Sequence, residues 1–239
     1  MRSLDRVLVA RTDKLGDFML TWPALALLRR ALPDAHIDLL VAGAVEEIAC
    51  ACPYTDGVIV DRGQALTALA KQIRANRYDA AAALFSTGRA AAALFVGRVP
   101  YRLGPSTKAA QVFFNHRIVQ RRSRSEKPEH EYNSDLIRCL LADHGIGSVA
   151  QRPPPYLAFA PAELEAVQAQ LRAHYGFPVE SRIVIVHPGS GGSANNLSLV
   201  QYAGLVNALE SVNQLFVLVT AGPGEEAQAE ALVSMINAH

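Results

Sequence analysis

Short runs of branched apolar residues alternate with stretches of helical periodicity, and that alternation constrains the fold more than any other feature of the chain. Residues 7–10 (VLVA) form a strand-like run, followed by a polar loop and a helical pattern over 18–32. The unit recurs as 36–41 with 44–51, 57–60 with 66–75, and 78–85 with 88–96. Strands and helices that alternate at this spacing build βαβ crossovers, because parallel neighbours must be joined over one face of the sheet. The expected architecture is α/β, a doubly wound parallel sheet with helices on both faces.

Two interruptions divide the chain. Residues 117–128 carry Arg117, Arg121, Arg122, Arg124 and Lys127 among polar neighbours and read as a basic loop, after which 131–144 resumes as a helix ending at Gly145. Residues 151–155 (QRPPP) carry three consecutive prolines, which lack amide donors and hold the chain extended. A domain boundary is placed there, giving domains 1–152 and 153–239. Beyond it, 161–175, 198–210 and 225–238 read as helices, and 182–187 and 214–220 as strands. They open a second parallel α/β domain. A stable sheet usually has four to six strands, so this domain is expected to be incomplete within these residues.

Composition excludes several classes. Of the 239 residues 50% are hydrophobic and 19% charged, values of an ordinary globular protein. The formal net charge of +1 gives no electrostatic case for a nucleic-acid partner. Cys50, Cys52 and Cys139 fit neither a disulfide framework nor zinc-ligand spacing, which suits a reducing cytoplasm. No signal peptide and no uninterrupted apolar run of about 18 residues is present.

In parallel sheets ligands bind beyond the carboxyl ends of strands, which directs attention to three loops. The first, RTDKLGD over 11–17, brings Asp13 and Asp17 to the end of the opening strand. Asp17 is either the N-cap of the following helix, bonding the amides of Met19 or Leu20, or a carboxylate able to take a proton from an attacking hydroxyl. The second, HPGSGGSANN over 187–196, lets backbone amides approach an anion closely before a helix capped by Ser198, and otherwise reads as a surface loop. It is no Walker A loop, since no Lys-Ser/Thr pair follows. Gly189 to Ala194 does match G-x-G-x-x-A, so an NAD-dependent oxidoreductase is an alternative. Against it, Thr220 is followed by Ala221 and Gly222 where a ribose-binding acid belongs. The third loop, TAGPGEE over 220–226, sets Gly222 at a strand end with Glu225 and Glu226, which either accept from ribose hydroxyls or favour the positive end of the last helix.

Residues 7–25 (VLVARTDKLGDFMLTWPAL), 31–41 (ALPDAHIDLLV), 102–108, 130–136, the HPGSGGSA loop and TAGPGE, in this order, resemble the ADP-heptose:lipopolysaccharide heptosyltransferases of glycosyltransferase family 9. The resemblance covers essentially the whole chain. It implies a GT-B architecture of two Rossmann-like domains, the first for the lipopolysaccharide acceptor and the second for the nucleotide-sugar, with catalysis in the cleft between them. It implies inverting transfer of heptose from ADP-heptose to the lipopolysaccharide inner core, with no metal and no cofactor beyond the donor substrate. Asp17 of the G-D pair would be the general base, with Asp13 a second candidate. Ser190, Gly191 and Gly192 would meet the donor's phosphates and Glu225 or Glu226 its nucleoside, with Ser193, Asn195 and Gly222 also on the donor-binding side. Arg102, Lys108 and His130 would contact the acceptor. The basic stretch and Arg98 would either meet core phosphates or form a solvated face. His130 in HEYNS is no zinc motif, and Trp22 and Cys139 are expected in the core. The protein would be cytoplasmic, in peripheral contact with the inner membrane.

Two departures stand out. Asn195, Asn196 and Leu197 occupy positions where the family usually has Lys, Asn and Trp, a change that removes a cation and about 1.5 to 3 kcal/mol of charge-assisted contact. The family's D-S-G-P segment is absent from these residues, so a truncated or degenerate member that binds acceptor or nucleotide without transfer is the second alternative.

Overall fold

The computed structural model describes residues 4–106, 109–190, 195–210 and 214–236. The chain divides into two compact units, residues 1–158 and 159–239.

The first unit contains, in order, β1 (Arg6–Arg11), α1 (Leu15–Met19), α2 (Trp22–Ala31), β2 (His36–Ala42), α3 (Glu46–Cys50), β3 (Gly57–Asp61), α4 (Leu66–Ala75), β4 (Ala80–Ala83), α5 (Gly88–Val96), β5 (Tyr101–Pro105), β6 (His116–Ile118) and α6 (Glu129–Asp143). Its six strands pair in parallel in the order β3-β2-β1-β4-β5-β6. The chain winds outward from β1 to β3, then returns to the other side of β1, so the topological switch point lies between β1 and β4. Period-two alternation sorts the side chains. Val7, Val9, Ile37, Leu39, Ala80 and Ala82 pack with Leu25 and Leu28 of α2 and Leu136 and Leu140 of α6. Leu8, Ala10, Leu40, Ala81 and Ala83 pack with Leu69 and Ile73 of α4 and Ala90 and Leu94 of α5. Trp22 is buried in the first of these cores, and Cys139 is partly buried against it.

The doubly wound parallel sheet matches expectation, but it is wider than the sequence suggests. β5 ends on Gly104 and Pro105, residues that punctuate rather than mark strands. β6 is only three residues long and includes Arg117 of the stretch read as loop. Gly104 is required where it stands, because a Cβ there would meet the Phe114 ring at 2.3 Å. The helix expected over 18–32 is two helices: Thr21 Oγ1 donates to the Phe18 carbonyl (2.6 Å), and Pro23 stands in the first turn of α2.

The proline-rich segment packs on the first unit. Tyr54 Oη donates to the Tyr156 carbonyl (2.7 Å), and Tyr156 and Leu157 lie against the core beneath α2 and α6. The units therefore part between Ala158 and Phe159.

The second unit contains α7 (Pro161–Tyr175), β7 (Arg182–Val186), α8 (Leu199–Glu210), β8 (Leu215–Val219) and α9 (Glu226–Ile236). β7 and β8 pair in parallel from Arg182↔Leu215 to Val186↔Val219. Its core is built on Val186, Ala203, Val206 and Leu232. Ser198 caps α8 as expected: its Oγ accepts from the Gln201 amide (3.3 Å), while the Gln201 side chain accepts from the Ser198 amide (2.9 Å). Among the described residues no helix is long and apolar enough to cross a membrane.

Candidate functional site

β1 delivers its last residue, Arg11, to the switch point, where the guanidinium is 1% exposed. A buried cation is costly unless paired, and here three carboxylates surround it. Nε donates to Asp13 Oδ1 at 2.6 Å, one terminal nitrogen to Glu129 Oε1 at 2.9 Å, and the other lies 3.3 Å from Asp17 Oδ1. The Glu129-facing nitrogen also donates to Asn133 Oδ1 (3.2 Å), and the guanidinium stacks over Phe85, 5.2 Å from the ring centroid. Glu129 and Asn133 stand one turn apart on α6, so both reach the same group. Asn133 Nδ2 donates onward to the Leu20 carbonyl (3.0 Å), tying α6 to the end of α1 that carries Asp17.

A second guanidinium, Arg122, pairs with Glu129 and receives further acceptance from Gln120 Oε1. Burial pulls its pKa down. Two guanidinium charges thus face three carboxylates, a cluster with one negative charge in excess when all are ionised. The expected basic loop therefore contains one arginine that turns inward.

The two aspartates are not equivalent. Asp13 is 14% exposed and held tightly; burial pushes its carboxyl above the usual range, the Arg11 charge and hydrogen bond oppose that, and Asp17 adds to it. Asp17 lies inside α1 with its side chain 43% exposed. The helix begins after Lys14, and no side chain caps it. The capping role weighed for Asp17 is therefore overturned, because α1 starts earlier than the sequence pattern suggests. Across the switch point, Thr12 Oγ1 lies 3.3 Å from Thr87 Oγ1, the side chain that caps α5 by accepting from Ala90.

In the second unit the loops after β7 and β8 converge. His187 Nδ1 lies 3.1 Å from Thr220 Oγ1, and its Nε2 lies 3.4 Å from Glu225 Oε2. That carboxylate turns back to accept from the Gly222 amide (3.1 Å). A Cβ at Gly189 would meet that carboxylate at 2.0 Å, so a side chain here would displace Glu225 from its present position. Glu226, not Glu225, occupies the first turn of α9. Ser190 is partly buried and Asn195 exposed on the same loop. Gly191, Gly192 and Ser193 lie outside the described residues, as does Lys108.

Among the acceptor candidates, His130 sits in the first turn of α6 beside Glu129. Arg102 is not with them. It lies at the opposite end of the sheet, where its Nε donates to the Phe113 carbonyl (2.8 Å) and its guanidinium covers Phe95. Sequence reasoning assigned no role to Arg11, Glu129, Asn133 or His187, and weighed Arg122 only as part of the basic stretch, either meeting phosphates or solvated, whereas it pairs inward with Glu129. Glu129 is 118 positions from Arg11, a pairing no local pattern reveals. Among the described residues no three His, Cys, Asp or Glu side chains converge as a metal centre requires.

No family model matches the chain. A Haemophilus influenzae protein named "Putative glycosyltransferase" is 40% identical over 238 residues, 98% of this chain and 68% of its own length. A solved family 9 glycosyl transferase from Veillonella parvula superposes with a TM-score of 0.78 at 17% identity, over 96% of this chain and 66% of its own. E. coli ADP-heptose lps heptosyltransferase II gives 0.75 at 18% identity, over 96% and 68%. An E. coli heptosyltransferase solved with ADP gives 0.68 at 20% identity, over 95% and 71%. The chain thus spans about two thirds of the length of these relatives, and the fold it shares with the solved ones is of the GT-B type. Joined to a relative at that identity over nearly all its residues, and built on the fold of the solved family 9 enzyme and heptosyltransferases, the chain belongs to the glycosyltransferases.

Proposed function

We propose that the chain carries the acceptor side, and the opening of the donor side, of an inverting heptosyltransferase that moves heptose from ADP-heptose to the lipopolysaccharide inner core. The observation that carries this reading is the half-exposed Asp17 carboxylate, held beside the buried Arg11 guanidinium at the switch point of the sheet. A base must be reachable and oriented, and Asp17 meets both conditions. Asp13, shielded and bound to Arg11 Nε, serves as the positioning carboxylate.

In this reading the acceptor hydroxyl passes its proton to Asp17 as its oxygen attacks the anomeric carbon of the heptose. The bond from that carbon to the diphosphate oxygen breaks, and ADP leaves with the electron pair. Negative charge then develops on the leaving diphosphate. Amides of the loop that begins at Gly189 and Ser190, before the positive end of α8, are suited to meet it. The likeness to an enzyme solved with ADP and the absence of a ribose-binding acid after β8 favour a nucleotide-sugar over NAD. Asn195 supplies no charge, so the loop's contribution rests on amides and hydroxyls. A lipid-linked acceptor would bring the protein to the cytoplasmic face of the inner membrane.

Calorimetric titration of ADP, ADP-heptose and NAD tests the donor: tight NAD binding without ADP binding rejects the reading. Asp17→Asn should lower turnover by about a hundredfold or more with the melting temperature close to the parent's, because the side chain is half exposed, caps no helix, and leaves Asp13 and Glu129 paired with Arg11. Wild-type transfer by that variant would remove Asp17 as the base. Assay of the chain beside any longer product of its gene separates a transferase from a binding-only form.

A further inference from the structure

Arg11 distributes its donors unevenly among the carboxylates around it. Nε donates to Asp13 at 2.6 Å, and one terminal nitrogen donates to both Glu129 (2.9 Å) and Asn133 (3.2 Å). The other terminal nitrogen stands 3.3 Å from Asp17, the longest of the three carboxylate contacts. Glu129 does more than its share, because the same oxygen that accepts from Arg11 also pairs with Arg122. The charge of Arg11 is thus met chiefly by Asp13 and Glu129, 14% and 25% exposed, and only loosely by Asp17, 43% exposed.

The balance of charge gives Glu129 its weight. With Arg11 and Arg122 facing Asp13, Asp17 and Glu129, the surplus negative charge falls on the most exposed member, Asp17. Without Glu129, the two guanidinium groups would meet two carboxylates, and Asp17 would become an obligatory counter-ion of a buried cation. A carboxylate drawn into a hydrogen bond with a guanidinium holds a proton less well, and is the weaker base for it. Glu129 is itself held from outside the loop. It begins α6, which Leu136 and Leu140 anchor in the core, and Asn133 one turn on donates to the Leu20 carbonyl just beyond α1.

We propose that Glu129 is a positioning residue for the transfer: by engaging Arg11 and Arg122 together it leaves Asp17 reachable and loosely paired, and so sets the strength of the base. The proposal rests on the reading of Asp17 as that base. Glu129 takes no proton from the acceptor and acts only through Arg11. Lys14 before α1, and His130 and Glu131 in the first turn of α6, are the further titratable groups of the elements that meet here. Residues 43–45 (GAV), which also pack against α1, carry none. The titration must therefore be read on Asp17 itself.

The experiment follows Asp17 in two ways, by the NMR resonance of its carboxyl carbon as pH is varied and by the pH dependence of kcat and KM for transfer. Glu129→Gln keeps an acceptor oxygen for Arg11 but removes the charge. Asp17 should then bind its proton about tenfold more weakly, and the acid limb of kcat/KM should move to lower pH with it. At the plateau kcat should fall about threefold while KM changes little. Glu129→Asp, which returns the charge on a shorter arm, should recover most of both. Arg122→Gln removes a cation and should move the Asp17 titration the opposite way, to higher pH; it decides the matter if Glu129→Gln does not fold. An unmoved Asp17 titration in these variants, shifts of the same sign in Glu129→Gln and Arg122→Gln, or a fall in kcat with the acid limb in place would each overturn the proposal. If the parent chain transfers no heptose, the reading of Asp17 as a base fails in the assay, whereas the carboxyl titration still decides whether Glu129 governs that side chain.

Discussion

Arg11 illustrates how a single residue organises a site. Its side chain is buried yet charged, so it persists only because Asp13, Asp17 and Glu129 come from three elements to meet it. A comparable pair lies further along the switch face, where Arg89 at the start of α5 holds Asp61 at the end of β3 through Nε (2.7 and 3.0 Å) and a terminal nitrogen (2.9 Å). The Arg89 hydrogen bonds, together with the Gly63 amide, hold the Asp61 carboxyl below its ordinary range, against the effect of burial. The folded state therefore binds that proton less readily than the unfolded chain. The stabilisation is present above the ordinary carboxylate range near pH 4 and is lost as pH falls through the depressed value. Thermal melts of wild type and Asp61→Asn should differ near neutral pH and converge in acid; a constant gap across that range would contradict this account.

Among the elements, β4 is the least typical. Four alanines (Ala80–Ala83), residues of modest strand propensity, occupy a central position between β1 and β5, all fully buried. Their small side chains let α2 and α6 close on one face and α4 and α5 on the other. Ala82→Leu should accordingly destabilise by about 1 to 3 kcal/mol through overpacking against α2 and α6, read as a lower urea midpoint with an unchanged slope. An unchanged midpoint would mean that the interface has room to spare. Helix α6 plays the complementary part: Leu136 and Leu140 anchor it in the core, and its first two turns project Glu129 and Asn133 to Arg11.

At the scale of the whole molecule the two units differ in what holds them. The first packs a six-stranded sheet between two helical layers, whereas the second pairs two strands, leaves α7 without a buried residue, and rests on a core around Val206 and Leu232. Local opening is governed by such contact density, so amides of β7 and β8 should exchange hydrogen well before those of β1, β2 and β4 in mass-spectrometric exchange. Equal protection would show that the second unit draws stability from contacts beyond its own core. The alternation of branched apolar runs with helical patterns was enough to establish a parallel, doubly wound sheet and to point to the loops after β1, β7 and β8, because both signals are periodic and local. Strands β5 and β6 escaped it, since glycine, proline and basic residues stand where pairing, not propensity, makes a strand. The same limit applies to the site: Asp13 and Asp17 were visible as neighbours of a strand end, but Arg11 became their organiser only when α6 brought Glu129 and Asn133 across the chain. Electrostatic partnership depends on distance in space, and only the folded sheet sets that distance.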